Sequence, residues 1–488
     1  MKAPGWLKEV YEKIDAQFRS EDLPRIIRLV QQPSIAGTGE GIAECAQLVM
    51  EMLRDLGCEN VHLEHYVHSP IVEGFLPSTV EDAPTIILYG MYDVQPPEPL
   101  EEWSVPPFQG TIVENHMGNG ECVVARGIAN SKGPLVCYMN AIRTIRQVLG
   151  YVPVNILFVV EGEEEMSSES LAKYVEKHAE RLSKCDLVFM NGCREDENGW
   201  PTTNLGNKGI LYLDLECRGG AWGGPQKVDV HSKNAAWLSN PIWRLINALA
   251  TMRDAQDNIL IDGFYDDVIL PTPLEERLTA GMVELAKPET ILKKELCASQ
   301  FMKGWSAGEA MRKLIWSPTL NICGISGGYE GAAAKTIIPY KVNAKIDIRM
   351  VPNMTAEKTL ALIQNHLKQH GFDDIKVTVV STTPSAKVDP ECTAVQAAFA
   401  ALDSFEREKW GAWPIFPGSG PRYLFTDPPV SIPYITLGLG RWGRIHAPDE
   451  WVTMQGLQDN EKSCAAYIYY YLEECSKKKG RTAEREVQ

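Results

Sequence analysis

The chain has 488 residues, of which 44% are hydrophobic and 23% charged, and carries a net charge of −16. That length exceeds what one ordinary core fills, so two domains are expected. The acidic surplus repels nucleic acid and anionic membrane, which excludes both as main partners. No stretch approaches the roughly 18 apolar residues of a membrane span, and Met1 to Ser20 lacks the apolar centre of a signal peptide. The 12 cysteines form no CxxC pair and read as reduced thiols, so a cytoplasmic protein is expected.

Helical spacing runs over Asp22 to Val30 and Gly41 to Leu56. A buried strand follows from Thr85 to Tyr89, breaking at Gly90. Lys132 to Leu149 reads as helix, Val154 to Val160 as strand, Leu171 to Leu182 as helix and Asp186 to Met190 as strand. Buried strands separated by amphipathic helices imply an α/β layer with a mostly parallel sheet, whose active site lies beyond the carboxyl ends of the strands. From Ile210 to Arg218 the pattern alternates with period two, as it does again from Val342 to Met350. Pro241 to Met252 and Thr355 to His370 are helical, and Ile375 to Val380 is a short strand. These elements predict an antiparallel α+β insert. Cys392 to Phe405 returns to helix and Ser431 to Leu437 to strand, and the basic tail around Lys477 to Arg485 reads as a solvated helix end. The expected domains are residues 1–210 and 383–488, two parts of one α/β domain, interrupted by residues 211–382.

Chemistry-bearing residues follow each buried strand. Gly90-Met-Tyr-Asp-Val-Gln-Pro96 comes after the first, Glu161-Gly-Glu-Glu-Glu-Met-Ser-Ser168 after the second and Asn191-Gly-Cys193 after the third. Arg126-Gly-Ile-Ala-Asn-Ser-Lys-Gly133 enters a helix, and Arg444-Ile-His-Ala-Pro-Asp-Glu450 stands near the C-terminus. Each alone is weak: an acidic cluster is usually a solvated helix start, and a lone histidine an ordinary surface residue. Together, strand-end carboxylates with a late histidine suit a metal site or an acid/base pair.

These segments resemble the metallopeptidase family of carnosine dipeptidase, acetylornithine deacetylase and succinyl-diaminopimelate desuccinylase, the carnosine dipeptidase branch most of all. Tyr89 to Pro96 is similar to YGHYDVQP, Arg126 to Pro134 to RGxxDDKGP, and Glu161 to Ser168 to EGxEExGS. Asp229 to Ser232, Lys335 to Pro339, Ile348 to Pro352, Gly418-Ser419 and His446 to Glu450 extend the resemblance over nearly the whole chain. It implies a zinc-exopeptidase-like catalytic domain with an α+β lid through which two copies form a homodimer. It places Glu164 on the general base, Glu165 and His446 on metal ligands, and His231 on a lid histidine that stabilises an oxyanion. Arg349 falls on the grip for a substrate carboxylate, with Thr336 and Ser419 on substrate-contacting positions.

Three metal positions depart from the family pattern. Met91 replaces a histidine ligand, Asn130 the bridging aspartate and Gly192 an acidic ligand. Asp93, which supports that histidine in the family, remains without it. The resemblance therefore implies no metal or one divalent ion, zinc or manganese, on Glu165, His446 and Asn130, rather than a dinuclear zinc centre. Three readings stay open: a mononuclear-metal amidohydrolase, a catalytically inactive binding relative, and a repurposed enzyme. The third is preferred. In it Glu164 is acid or base, His231 polarises, Arg349 holds an amino-acid-like or dipeptide-like substrate, and the reaction is amide or acyl transfer, bond formation or rearrangement. Without cations, one of the paired Glu164 and Glu165 is expected to hold a proton. Cys193 as a nucleophile is the lesser expectation against inert packing. Lys233 and Trp237 add charge and bulk after His231, so an altered substrate pocket is expected there.

Overall fold

The computed structural model describes Met1 and residues 3–486, with residues 480–486 described by their backbone alone. The chain divides into two compact units. The larger comprises Met1–Leu205, Val388–Pro414 and the chain from Pro421 onward; the smaller comprises Gly206–Lys387 and Ile415–Gly420.

An eight-stranded sheet organises the larger unit, with Asn155–Glu161, Thr85–Met91, Leu187–Asn191 and Tyr434–Leu437 adjacent in that order at its centre. These four run parallel. Their side chains are almost wholly buried, which explains the unbroken apolar runs in the sequence. Helix Lys132–Leu149 and the long helix Met454–Glu486 pack beside them, and Phe189 stacks on Tyr467 with ring centroids 4.6 Å apart.

The strand expected to stop at Gly90 instead continues through Met91 and is buried throughout. Gly90 is a packing residue, not a break: a Cβ there would come within 2.9 Å of Leu135 Cδ1. Conversely, Ser431 to Pro433 precede the strand Tyr434–Leu437 rather than belonging to it; Ser431 has φ +56°, which no strand adopts. The basic tail continues the helix Met454–Glu486, with Lys477 paired to Glu474; its side chains from residue 480 lie outside the described residues.

A second, four-stranded antiparallel sheet in this unit joins Trp442–Gly443, Trp451–Thr453, Cys122–Val124 and Thr111–Val113. It sets residues 444–450 beside residues 126–130, and a single buried carboxylate ties them. Glu450 accepts from Arg126 Nη1 at 2.9 Å and from the backbone N–H of Gly127, Ala129 and Asn130 at 3.0, 2.9 and 3.0 Å. Burial pushes the Glu450 carboxyl up, and Arg126 with the three backbone donors opposes it. Those bonds compensate the desolvation that a buried ion otherwise suffers.

The smaller unit carries a four-stranded antiparallel sheet in the order Asn321–Ser326, Lys341–Met350, Gly209–Arg218, Lys376–Thr383. Leu211, Leu213, Leu215 and Cys217 alternate inward against Val342, Ala344, Ile346 and Ile348, and helices Pro241–Met252 and Ala356–Gln369 cover that face. The fold is thus α/β with a mostly parallel sheet, interrupted by an α+β unit. Helices Pro273–Ala286 and Ala307–Trp316, absent from the sequence reading, each begin with a capping box, Thr272 with Glu275 and Ser306 with Glu309. No described helix is long and apolar enough to cross a membrane.

Replacing Glu450 by glutamine leaves the buried Arg126 without a counter-charge. The unfolding free energy is expected to fall by about 3–5 kcal/mol, the cost of removing one partner of a buried pair. Urea unfolding measures it, and a loss below about 1 kcal/mol would remove Glu450 as the tie.

Candidate functional site

In the larger unit, Met91, Asp93, Glu164, Glu165 and Gly192 follow or end adjacent parallel strands, where open α/β sheets place their ligands. Residues Glu164–Met166 form a short 3-10 turn after strand Asn155–Glu161. The acidic cluster is not a solvated helix start. Glu163 is buried and turned away, accepting from Ser69 N at 2.9 Å and Ser170 Oγ at 2.7 Å. Glu164 and Glu165 are half-buried.

Glu165 is the hub of the site. Its Oε1 accepts from Asn130 Nδ2 at 2.7 Å and from His446 Nε2 at 2.9 Å, and its Oε2 accepts from Gln95 Nε2 at 2.9 Å. Its backbone N–H donates to Asp93 Oδ2 at 3.0 Å. Three sequence-predicted ligand positions, Asn130, Glu165 and His446, therefore converge. The Asn130 amide presents its nitrogen to the carboxylate, while its oxygen accepts from Ser131 Oγ at 3.1 Å.

This donor set does not fit the metal centre that the resemblance implies. Glu165 and His446 are the two good donors, one fewer than a catalytic zinc normally takes. Both carboxylate oxygens of Glu165 are already satisfied by neutral or imidazole N–H groups. Met91 is buried at 2% exposure, and Gly192 offers no donor atom. The Asp93 Oδ1 atom, which would orient the missing histidine, is buried without a partner. Among the described residues, the one cluster of three His, Cys, Asp or Glu donors is His62, Glu64 and Glu73. Lys177, His178 and Arg181 neutralise that cluster as an ion-pair network.

Without a cation, burial and the neighbouring charges of Glu165 and Asp93 push the Glu164 carboxyl up to about 8. Burial likewise pushes Asp93 up to about 7, against the N–H of Glu165. One of the paired glutamates thus holds a proton at neutral pH, and that one is Glu164. No hydrogen bond is among the influences on its carboxyl, so the proton is available for transfer. Cys193 is buried, and its thiol is pushed well up by that burial, which makes it inert packing.

The smaller unit holds the remaining predicted residues in two places. His231 and Thr336 stand at the paired strands Val230–His231 and Ile337–Ile338, both exposed. His231 Nδ1 accepts from Lys233 N at 3.0 Å, which fixes the ring with its proton on Nε2. Lys233 and Trp237 lie in the turn that follows, and Trp237 is 82% exposed. Separately, Arg349 Nη1 donates to Ser419 Oγ at 3.1 Å. Buried Lys208 stands near enough to Arg349 for the two cations to repel; burial first, then Arg349, lowers the lysine to about 8. Asp347 Oδ2 lies 3.7 Å from Arg349 Nε and partly offsets that charge, while the guanidinium fork still suits a carboxylate.

Gln95 escaped the sequence reading. It lay inside the quoted Gly90 to Pro96 segment, and a donor two residues past Asp93 was its signal.

The model of peptidase family M20/M25/M40 matches residues 87–473. The chain is 28% identical over 375 residues to the Cys-Gly metallodipeptidase dug1 of Schizosaccharomyces pombe, covering 74% of this chain and 75% of that one. It is 28% identical over 312 residues to the Beta-Ala-His dipeptidase of Rattus norvegicus, covering 61% and 58%. Among solved structures, the M20 family metallo-carboxypeptidase Sso-CP2 from Sulfolobus solfataricus superimposes with a TM-score of 0.79 at 30% identity, covering 93% of this chain and 99% of that one.

A carboxyl held up at about 8 binds its proton more tightly in the folded than in the unfolded chain. Its contribution is fully present below the ordinary carboxyl range and is lost as pH rises toward 8. Urea midpoints of the wild type and of Glu164→Gln, measured from about pH 5 to about pH 8.5, are therefore expected to diverge, the wild type losing more. Parallel profiles would show Glu164 ionised throughout.

Proposed function

Because the chain belongs to peptidase family M20/M25/M40, we propose that it acts on a carboxylate-bearing, amino-acid-like or dipeptide-like small molecule by C–N bond chemistry that does without a dinuclear metal centre. One observation supports this reading: both oxygens of the Glu165 carboxylate accept from N–H groups, those of Asn130, His446 and Gln95, beside a buried Met91 and a Gly192 that offer no hard donor atom.

Glu164 is then the acid. The nucleophile adds to the carbonyl carbon, the protonated carboxyl donates to the leaving nitrogen as the C–N bond of the adduct breaks, and the resulting carboxylate takes up the proton that the nucleophile releases. A nucleophile other than water turns the same steps into acyl transfer, and the reverse direction forms an amide. His231 Nε2–H serves as polariser of a carbonyl oxygen, and Arg349 with Ser419 as the carboxylate grip. A cytosolic setting and a homodimer through the smaller unit complete the proposal; the described cysteines are all free thiols.

Metal analysis of the purified protein, before and after a chelator, is expected to give fewer than two ions per chain. Function should survive chelation, and hydrolysis of Cys-Gly and β-Ala-His should be slow. Two zinc ions per chain would overturn the proposal, whereas a single ion whose removal abolishes activity would favour a mononuclear site on Glu165, His446 and Asn130. Glu164→Gln is expected to lower kcat by roughly 10²–10⁴-fold, the usual contribution of a general acid. Unchanged activity in both Glu164→Gln and His231→Ala would leave only a binding role.

A further inference from the structure

In the larger unit, helix Leu7–Gln17 passes into helix Leu23–Gln31 through one wide π-turn, Phe18–Asp22. The turn sets Asp22, wholly buried, against helices Lys132–Leu149 and Met454–Glu486, both distant in sequence. Asp22 Oδ1 accepts from Arg143 Nη2 at 2.6 Å and from Gln17 Nε2 at 3.5 Å. Glu461, also wholly buried, accepts through Oε1 from Asn140 Nδ2 at 2.8 Å. The same Asn140 nitrogen donates to the Asp22 carbonyl at 3.3 Å, while Arg25 Nε, donating at 2.9 Å, holds the Asn140 oxygen away from both acids.

The remaining oxygens of the two acids, Asp22 Oδ2 and Glu461 Oε2, are buried and meet no donor among the described residues. If both acids were ionised, two unsatisfied oxygens and two like charges would lie side by side in the core. One proton removes both faults. A Glu461 O–H donating to Asp22 Oδ2 gives each oxygen a partner, and the two groups lie within hydrogen-bonding reach. Burial, then the charge of Asp22, pushes the Glu461 carboxyl well up. Burial raises Asp22 as well, but Arg143 opposes it, so Asp22 is the partner that stays ionised. The surrounding charges are few. Glu21 pairs with Arg143 Nη1 at 2.9 Å, and Arg25 is a second cation beside Asp22. The thiols Cys137 and Cys464, one on each long helix, are held protonated by burial.

The two helices joined here also carry the site. Helix Lys132–Leu149 begins just after Asn130, and helix Met454–Glu486 follows the strand Trp451–Thr453 and so the loop of His446. Asn460, the neighbour of Glu461, donates to the carbonyls of Gly192 and Leu439 at 3.1 and 2.6 Å and accepts from Asn191 Nδ2 at 2.6 Å, bracing the strand ends. We infer that Asp22 and Glu461 share one proton and form a pH-sensitive clamp, which ties the N-terminal segment to the helices carrying the site and releases when alkaline conditions remove the proton. Its loss leaves two buried carboxylates facing each other against one close guanidinium. The folded chain keeps a proton that the unfolded chain gives up. Stability therefore falls as pH rises above the ordinary carboxyl range, until the proton leaves the folded chain too. The clamp is separate from Glu164 and independent of the reaction the site performs.

Urea unfolding of the full chain tests it in Glu164→Gln, which silences that acid, with and without Glu461→Gln. The glutamine copies a protonated carboxyl: its oxygen accepts from Asn140, its amide donates to Asp22, and it has no proton to lose. At about pH 5 the two proteins should be equally stable. Between about pH 5 and about pH 9 the unfolding constant of Glu164→Gln should rise against that of the double variant by up to roughly tenfold per pH unit, the slope for one proton. Tryptic cleavage after Arg19, inside the π-turn, should at alkaline pH be faster in Glu164→Gln by a similar factor. At neutral pH the infrared carbonyl band of protonated carboxyl groups should be weaker in the double variant. Parallel pH profiles, equal cleavage or an undiminished band would each overturn the clamp. So would a double variant that is less stable at the acid end or fails to fold, because Glu461 would then be needed as an anion.

Discussion

The buried Glu450 carboxylate is the constraint on which the site depends. It gathers Arg126 Nη1 and the backbone N–H groups of Gly127, Ala129 and Asn130, and so ties residues 126–130 to residues 444–450. Asn130 and His446, more than three hundred residues apart in sequence, reach the same oxygen of Glu165 only because that tie exists. Each donor alone is a modest contribution, but together they compensate a charge that could not otherwise be buried.

Around this anchor the chain meets an electrostatic problem. Strand ends bring Asp93, Glu164 and Glu165 together, and three carboxylates cannot all ionise side by side without positive charge. Here the compensation is divided. Glu165 accepts hydrogen bonds from Gln95, Asn130 and His446, while burial and the neighbouring Glu165 and Asp93 push the Glu164 carboxyl up to about 8. The smaller unit, by contrast, keeps the groups the resemblance assigns to substrate handling, His231 with its proton on Nε2 and Arg349 bonded to Ser419.

Much of this was legible before the fold was known. Apolar runs and helical periods located the central strands and helices such as Lys132–Leu149, because burial on both faces leaves an unbroken hydrophobic signature. Glu164 and Glu165 stood out because their motif follows a strand end, and the family resemblance singled out His446 and Asn130. The failures have physical causes as well. Gly90 looked like a break because glycine is permissive, whereas Leu135 packing against it is a tertiary fact. Helices Pro273–Ala286 and Ala307–Trp316 were passed over although their capping boxes were written in the sequence.

By itself the sequence determined the α/β class with its α+β insert, the family, and the loss of three metal-binding side chains. Those follow from residue type and order alone. Only the tertiary structure decided which glutamate keeps the proton, that the Asn130 nitrogen rather than its oxygen faces Glu165, and that Asp22 faces Glu461. Each of these depends on burial and on the orientation of groups distant in the chain, and both are properties of packing that no local pattern encodes.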